Sequence, residues 1–595
     1  MRFSFRPPIH RRGDVRQPWF NRAGVVLALG ASWVSLSPSL VPRTWWMTAA
    51  SVTMNQLGGY ALGVGLHNIG LRLSERGTDA PLAGTGLQRA AVRVRSETDP
   101  ARRRGRLHPV TAALIAGAVL VTGAAVLRSA QEQERTSELV ETADGGTRAH
   151  LVGYAVGTSW WLGGVGFGWV MYWIRSTVAG GVRFFSRDLV GPTAASVVGL
   201  GAVALTNRLL IAQVARRMVR RATIANRRWA TGRRRPTEPE RSGGPGSSES
   251  YDVLGTHGQA FVADGPRRAD LEALGLSPQT APGRHLEPIR VFAGKVAHDR
   301  LEDAAEAVVQ ELHRTGGFDR SVLVLLTGTG TGWIQDWTPA AVEYLTGGDC
   351  ASATMQYSFS PSGLSFVVER HLARRAGRLL FERVQEELRR LPPQRRPRLY
   401  AAGESLGAYG GHSAFASIHA MLDAVDGAVW SGTPRATRLW SRIVADRDAG
   451  STEILPVFRA GRHIRFANNP RDLDLAPDGT PHGHWRAPRI AYLQHPSDPV
   501  VWWSPSLIWH RFDWIGDLRR MHRRPDVISS FRWLPWVTFW QITTDMPRSI
   551  SIPGGHGHSY HGEQVRAWAR VLGIELTEDQ ERALIRRIGS RVTRH

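Results

Sequence analysis

Five long stretches without a charged residue dominate the first third of the chain, at residues 23–42, 44–71, 107–127, 151–174 and 189–207. A helix of about 20 residues crosses a hydrocarbon core of roughly 30 Å. Buried helices of a water-soluble domain would carry polar positions at helical spacing on one face. These stretches largely lack them, so the pattern predicts a helical membrane region with four to five spans. The first stretch is the weakest, because Ser35, Pro38 and Pro42 interrupt it. Gly59 and Gly63 form a G-x-x-x-G of the kind that lets membrane helices approach, but in so glycine-rich a region chance explains the spacing.

Beyond residue 250 the pattern changes to short apolar runs alternating with helical periodicity. Strands are expected at 289–292, 322–326, 353–357, 399–402, 428–430, 490–494 and 549–552, and helices at 301–314, 364–391, 412–421 and 563–572. Such alternation predicts an α/β fold, a mostly parallel sheet covered by helices on both faces. The polar run 236–250, PTEPERSGGPGSSES, reads as a flexible linker. The expected organisation is a basic segment at 1–22, a transmembrane helical domain at 23–212, a basic segment and linker at 213–250, and an α/β domain at 251–595. Within the last lies a tryptophan-rich insertion at 502–546 carrying Trp502, Trp503, Trp509, Trp514, Trp533, Trp536 and Trp540. It reads equally as a lid leaning on the bilayer or as an extra layer of core.

Charge sharpens this picture. The 595 residues hold 75 Lys+Arg against 51 Asp+Glu, a formal charge of +24, and Lys295 is the sole lysine. Basic residues bunch beside the apolar stretches rather than interleaving with aromatics, which points to membrane lipids as partners and away from nucleic acid. Arginines between residues 73 and 106 mark a cytoplasmic connection, and Glu132, Glu134, Glu138, Glu141 and Asp144 an external one. The run from Arg216 to Arg235 then favours a cytoplasmic α/β domain, which requires one of the five stretches not to cross. One cysteine, Cys350, excludes an intramolecular disulfide and a cysteine-based zinc site.

Candidate chemistry centres on G-E-S-L-G at 403–407, where a strand ending at residue 402 meets small, helix-compatible residues. The flanking glycines permit a sharp corner with Ser405 exposed at its tip. A serine hydroxyl needs a histidine base, and that histidine a carboxylate behind it. Asp498, just past the 490–494 strand, fits the acid; Asp474, Asp513 and Asp545 are weaker rivals. The base comes from G-G-H-G-H-S-Y-H at 554–561, with His558 first, His556 close behind and His561 third. With His482 and His484 these could bind a metal, but the glycine-rich loop sets no rigid ligand geometry, so no metal or cofactor is expected. An oxyanion hole would draw on the N–H of Leu406 and on the T-G-T-G-T-G-W loop at 327–333, through Thr329 and Gly330. Trp333 stands where a dinucleotide fingerprint needs its third glycine.

The motifs S-L-S-P-S-L-V-P-R at 35–43, P-I-R-V-F at 288–292, T-G-T-G-T-G-W, M-Q-Y-S at 355–358, G-E-S-L-G, Y-L-Q-H-P-S-D-P-V-V-W-W at 492–503 and G-H-G-H-S-Y at 555–560 cover both halves of the chain. In combination they resemble a family of bacterial membrane-anchored α/β-hydrolases, with a multi-span N-terminal domain before the hydrolase domain. The resemblance implies an α/β-hydrolase fold with Ser405, Asp498 and His556 or His558 as a triad. It implies no substrate. The expected function is a multi-pass serine hydrolase of the cell membrane that cleaves an ester of a lipid or other amphiphile. The competing expectation is a scaffold or binding protein with a hydrolase-like domain.

Overall fold

The computed structural model describes residues 21–77, 109–143, 146–227, 233–275, 284–521 and 525–592. The basic segment 1–20, most of the arginine-rich connection and residues 228–232 lie outside the described residues. Among the described residues the N-terminal region holds five helices: α1 (Arg22–Ser35), α2 (Trp45–Gly77), α3 (Pro109–Leu139), α4 (Gly146–Phe185) and α5 (Pro192–Arg227). Two of them, over Pro109–Leu139 and Pro192–Ile224, are long and apolar enough to cross a membrane. The other three expected spans differ. α1 has 14 residues, which at the helical rise reaches about 21 Å and falls short of a bilayer core. Uncharged does not mean apolar: α2 buries Thr48, Ser51, Thr53, Asn55 and Gln56. Thr53 donates to the Gly157 carbonyl at 2.9 Å and Gln56 to Thr158 at 3.2 Å, a polar seam joining α2 to α4.

Gly59 and Gly63 have a packing role that chance spacing would not give. A Cβ at Gly59 would lie 2.5 Å from the Leu27 carbonyl oxygen, and one at Gly63 2.5 Å from that of Ala23. Only bare backbone lets α1 and α2 cross this closely.

Seven strands form one parallel sheet in the order β1-β3-β2-β4-β5-β7-β6. They are β1 (Ile289–Ala293), β2 (Val322–Thr327), β3 (Cys350–Met355), β4 (Arg398–Glu404), β5 (Gly427–Ser431), β6 (Ile464–Ala467) and β7 (Arg489–Leu493). In β4, Leu399 and Ala401 pack into one core while Tyr400 and Ala402 pack into the other, the alternation of a strand covered on both faces. Helix α6 (Leu301–Thr315) shows how the cover forms: Leu301, Ala304, Ala305, Val308, Val309 and Leu312 make one buried stripe, and Gly316 at φ 71° ends it.

Four expectations change. β6 was not anticipated, being four residues long. The strand expected at 549–552 is instead the end of helix α7 (Val537–Ser549) and a turn. The helix expected at 412–421 starts earlier, directly after Ser405, and a second begins at Ile418. Finally, 236–250 is no flexible linker: Ser242 N–H donates to Arg290 O at 3.0 Å, and Glu311 accepts from Ser242, Ser247 and Ser248. Arg241 is buried and donates to the carbonyls of Val262, Asp264 and Pro266. Polar composition suggested solvent, but buried partners consume that polarity.

Candidate active site

All parallel strands point their C-terminal ends to one edge, and the chain reverses its direction of winding between β2 and β4. A crevice at such a reversal is where open α/β sheets bind ligands. Ser405 sits there, one residue past β4, with φ 58° and ψ −122°. This is a strained conformation for a residue bearing Cβ, and it aims the side chain off the end of the strand. The corner depends on its glycines. A Cβ at Gly403 would lie 2.6 Å from Gly407 C, and one at Gly407 2.0 Å from Thr327 O. Ser405 N–H donates to Ser431 O at 3.0 Å, tying the corner to β5.

The histidine-rich loop meets the acid candidate. His558 Nδ1 pairs with Asp498 Oδ2 at 2.7 Å, and both side chains are buried. Asp498 Oδ2 also accepts Tyr560 O–H at 2.7 Å, and Oδ1 the Val500 N–H at 2.8 Å. With Nδ1 committed to a carboxylate, His558 Nε2 is buried with no hydrogen-bond partner. Burial disfavours the imidazolium, but the charge and hydrogen bond of Asp498 outweigh it and raise the His558 pKa. The ring lies against Gly432, where an added Cβ would be 2.3 Å from Cε1. Gly432 adjoins Ser431, which holds Ser405, so imidazole and serine corner share the same end of β4 and β5.

The other histidines part company with this pair. His556 Nδ1 meets Asp526 at 3.2 Å, and Asp526 also takes the hydroxyl of Ser497. His561 stacks on Trp337 at 5.7 Å, 8° from parallel. Asp474 pairs with Arg570, Asp513 with Arg447 and Asp545 with Arg43, so none of the rival acids approaches His558. The Thr329 N–H expected in the oxyanion hole instead donates to Trp333 O at 3.1 Å, closing the loop's own turn. Gly330 O accepts from Ser358 N–H at 2.8 Å, and Leu406 N–H opens the helix after Ser405.

Three residues that sequence reading passed over complete the site. His495 faces acceptors on both nitrogens, Gly557 O and Glu563, each at 2.8 Å, so it carries both protons. Burial works against that charge, yet Glu563 prevails and the His495 pKa rises to about 9. His495 also stacks on Tyr560 at 4.4 Å, fixing the ring whose hydroxyl holds Asp498. The third residue is Glu404, immediately before the serine. His495 and Glu404 lay inside motifs already singled out, Q-H-P-S-D and G-E-S-L-G, whereas Glu563 stands two residues beyond the histidine loop at 554–561. A cavity of about 930 Å³ lies elsewhere: His556, Pro496 and Asp526 border it, and Ser405 and His558 do not.

Two family models match the chain: "Alpha/beta-hydrolase family" over residues 289–584 and "Alpha/beta-hydrolase family N-terminus" over residues 36–266. No curated protein and no solved structure matches it. With a parallel sheet, a serine on the strained corner after its central strand and matches over most of its length, the chain belongs to this α/β-hydrolase family.

Proposed function

We propose that the protein is a membrane-anchored serine hydrolase that cleaves an ester, with Ser405 as nucleophile, His558 as general base and Asp498 orienting the histidine. One observation carries the reading: His558 is bonded to Asp498 through Nδ1, while its Nε2 is free and buried beside the Ser405 corner. In the reaction Ser405 Oγ attacks the ester carbonyl and its proton passes to Nε2. The imidazolium then protonates the leaving alkoxide, and water releases the acyl group by the same route. The N–H of Leu406, at the start of its helix, supports the oxyanion. An amphiphilic ester is favoured by the two membrane-length apolar helices and by the aromatic cluster of Phe366, Tyr409, Trp503 and Phe539 beside the helix that follows Ser405.

Labelling with a fluorophosphonate tests the assignment. Wild type should label, and Ser405→Ala or His558→Gln should reduce labelling at least about a thousandfold. Labelling that survives Ser405→Ala removes Ser405 from the chemistry, and a wild type that never labels favours the binding-protein alternative.

A further inference from the structure

The cavity of about 930 Å³ is walled by the segments that follow β6 and β7, through Asn468 and Pro496, and by the histidine loop, through Gly555 and His556. Two of these walls run straight into the triad. Asp498 stands two residues beyond Pro496, and His558 two beyond His556, a reach of about 7 Å along the chain. The two segments are also tied to each other, Gly557 N–H donating to Ser497 Oγ at 2.8 Å.

His556 is held on this wall as an acceptor. Asp526 Oδ1 takes the Ser497 N–H at 3.1 Å, and its Oδ2 takes the Ser497 hydroxyl and meets His556 Nδ1 at 3.2 Å. A carboxylate so placed fixes the proton of the neutral ring on Nδ1 and leaves the Nε2 lone pair for a donor. The side chain borders the cavity and is 20 % exposed, so a bound molecule can supply that donor.

The rest of the wall carries both signs of charge, five aspartates and three arginines among the described residues. Asp513 pairs with Arg447, and Asp517 accepts the Glu453 N–H at 2.7 Å. An acyl chain here would leave charged groups without water. An anion would face the carboxylates, and a cation the guanidinium groups. Hydroxyls suit such a wall, because each donates once and accepts twice and so serves carboxylate, guanidinium and imidazole together. The volume is that of a small-molecule site.

We propose that this cavity binds the alcohol part of the ester, an uncharged, hydroxyl-rich group such as a sugar or polyol, with His556 Nε2 accepting from one of its hydroxyls. The inference rests on the proposed triad for the chemistry and names the substrate class that the triad leaves open. It divides the labour of the G-H-G-H loop, His558 moving the proton and His556 recognising the alcohol.

Three esters that share an acyl chain and differ in the alcohol test it: sucrose monooctanoate, ethyl octanoate and the anionic 1-octanoyl-glycerol 3-phosphate. Binding is read by tryptophan fluorescence in full-length Ser405→Ala, turnover in wild type, and thermal unfolding in every variant. Sucrose monooctanoate should bind at least about tenfold more tightly than either other ester and turn over with a correspondingly lower KM. Adding His556→Ala or Arg511→Ala to Ser405→Ala should reduce that preference about tenfold, and His556→Gln, which keeps an acceptor, should restore part of it. Equal binding of the three esters overturns the proposal. So does a preference for the phosphate ester, or a preference for the sucrose ester that both substitutions leave untouched. A protein that binds the sucrose ester preferentially and cleaves none of the three strikes the hydrolase reading and leaves the binding site standing.

Discussion

His495 is the residue on which the order of the histidine loop turns. Its protonated ring binds Gly557 O and Glu563, and it stacks on the tyrosine that holds Asp498. The folded pKa, about 9, exceeds the ordinary value of 6.5. Such a group contributes its stability fully below pH 6.5 and loses it as pH rises through about 9. Thermal unfolding of wild type in detergent should therefore fall across that window, and Glu563→Gln should flatten the fall by lowering the His495 pKa. A fall of equal steepness in both proteins would leave the pair without the linkage described here. At this scale Ser405, Asp498 and the histidine loop were legible because backbone chemistry demands glycines around the corner and a fixed chain order of partners. The choice between His556 and His558 was not, since two residues of loop separate them and only the fold shows Asp526 taking one and Asp498 the other.

Among elements, α7 carries the most consequence. Its Asp545 accepts from Ser39 Oγ at 2.9 Å and from Leu40 N–H at 3.1 Å, and lies 3.7 Å from the fully buried Arg43. Gln541 donates to Ser37 at 3.0 Å, so the 35–43 segment clasps this one helix. At its other end, Ser549 O accepts the His558 N–H at 3.0 Å. Asp545, a rival acid in sequence terms, is thus the anchor between the N-terminal helices and the histidine loop. Asp545→Ala strands Arg43 without its carboxylate and should cost about 3–5 kcal/mol by denaturation, while Arg43→Met with Asp545→Leu should recover most of it. Labelling of Ser405 should weaken in the single variant, because α7 leads directly into the loop. The tryptophan-rich insertion divides along the same line. Trp502 and Trp514 are core, stacked at 5.2 Å, whereas Trp536 reaches the Met54 carbonyl of α2.

For the whole molecule, the two regions share a core: Leu40, Val41, Met47 and Val140 pack into the same cluster as β1, β4 and α6. The helix directions follow from contacts. α2 passes Trp536 at Met54 and Gly58, and α4 runs alongside it, Gly153 against Thr48 and Gly164 against Leu57. Their far ends, with exposed Leu62, Leu66, Ile69, Trp169 and Trp173, leave the α/β region behind. The arginine-rich connection starts from that far end of α2, while α5 returns its own arginines to α/β residues at Gly255–Ala263. Reporters placed in the 78–108 connection and at the C-terminus should accordingly report opposite sides of the membrane. The positive-inside rule applied to the connection predicts an external C-terminal reporter, where the run from Arg216 to Arg235 predicts a cytoplasmic one. Both reporters on one side would mean that α2 does not cross.

What the sequence determined alone was local: which runs form six of the seven strands and several of the helices, where glycine permits a corner, and which serine, aspartate and histidine candidates follow one another along the chain. Periodicity and backbone sterics act within a few residues, so they can be read along a line. Tertiary structure decided how polarity is spent. The same serines and arginines that mark a solvated linker at 236–250 satisfy Glu311 and buried carbonyls, and the same uncharged run that marks a membrane span in α2 hides an interhelical polar seam. A hydrogen-bonding group costs little or much according to the partner it meets, and that partner is fixed only when distant segments come together.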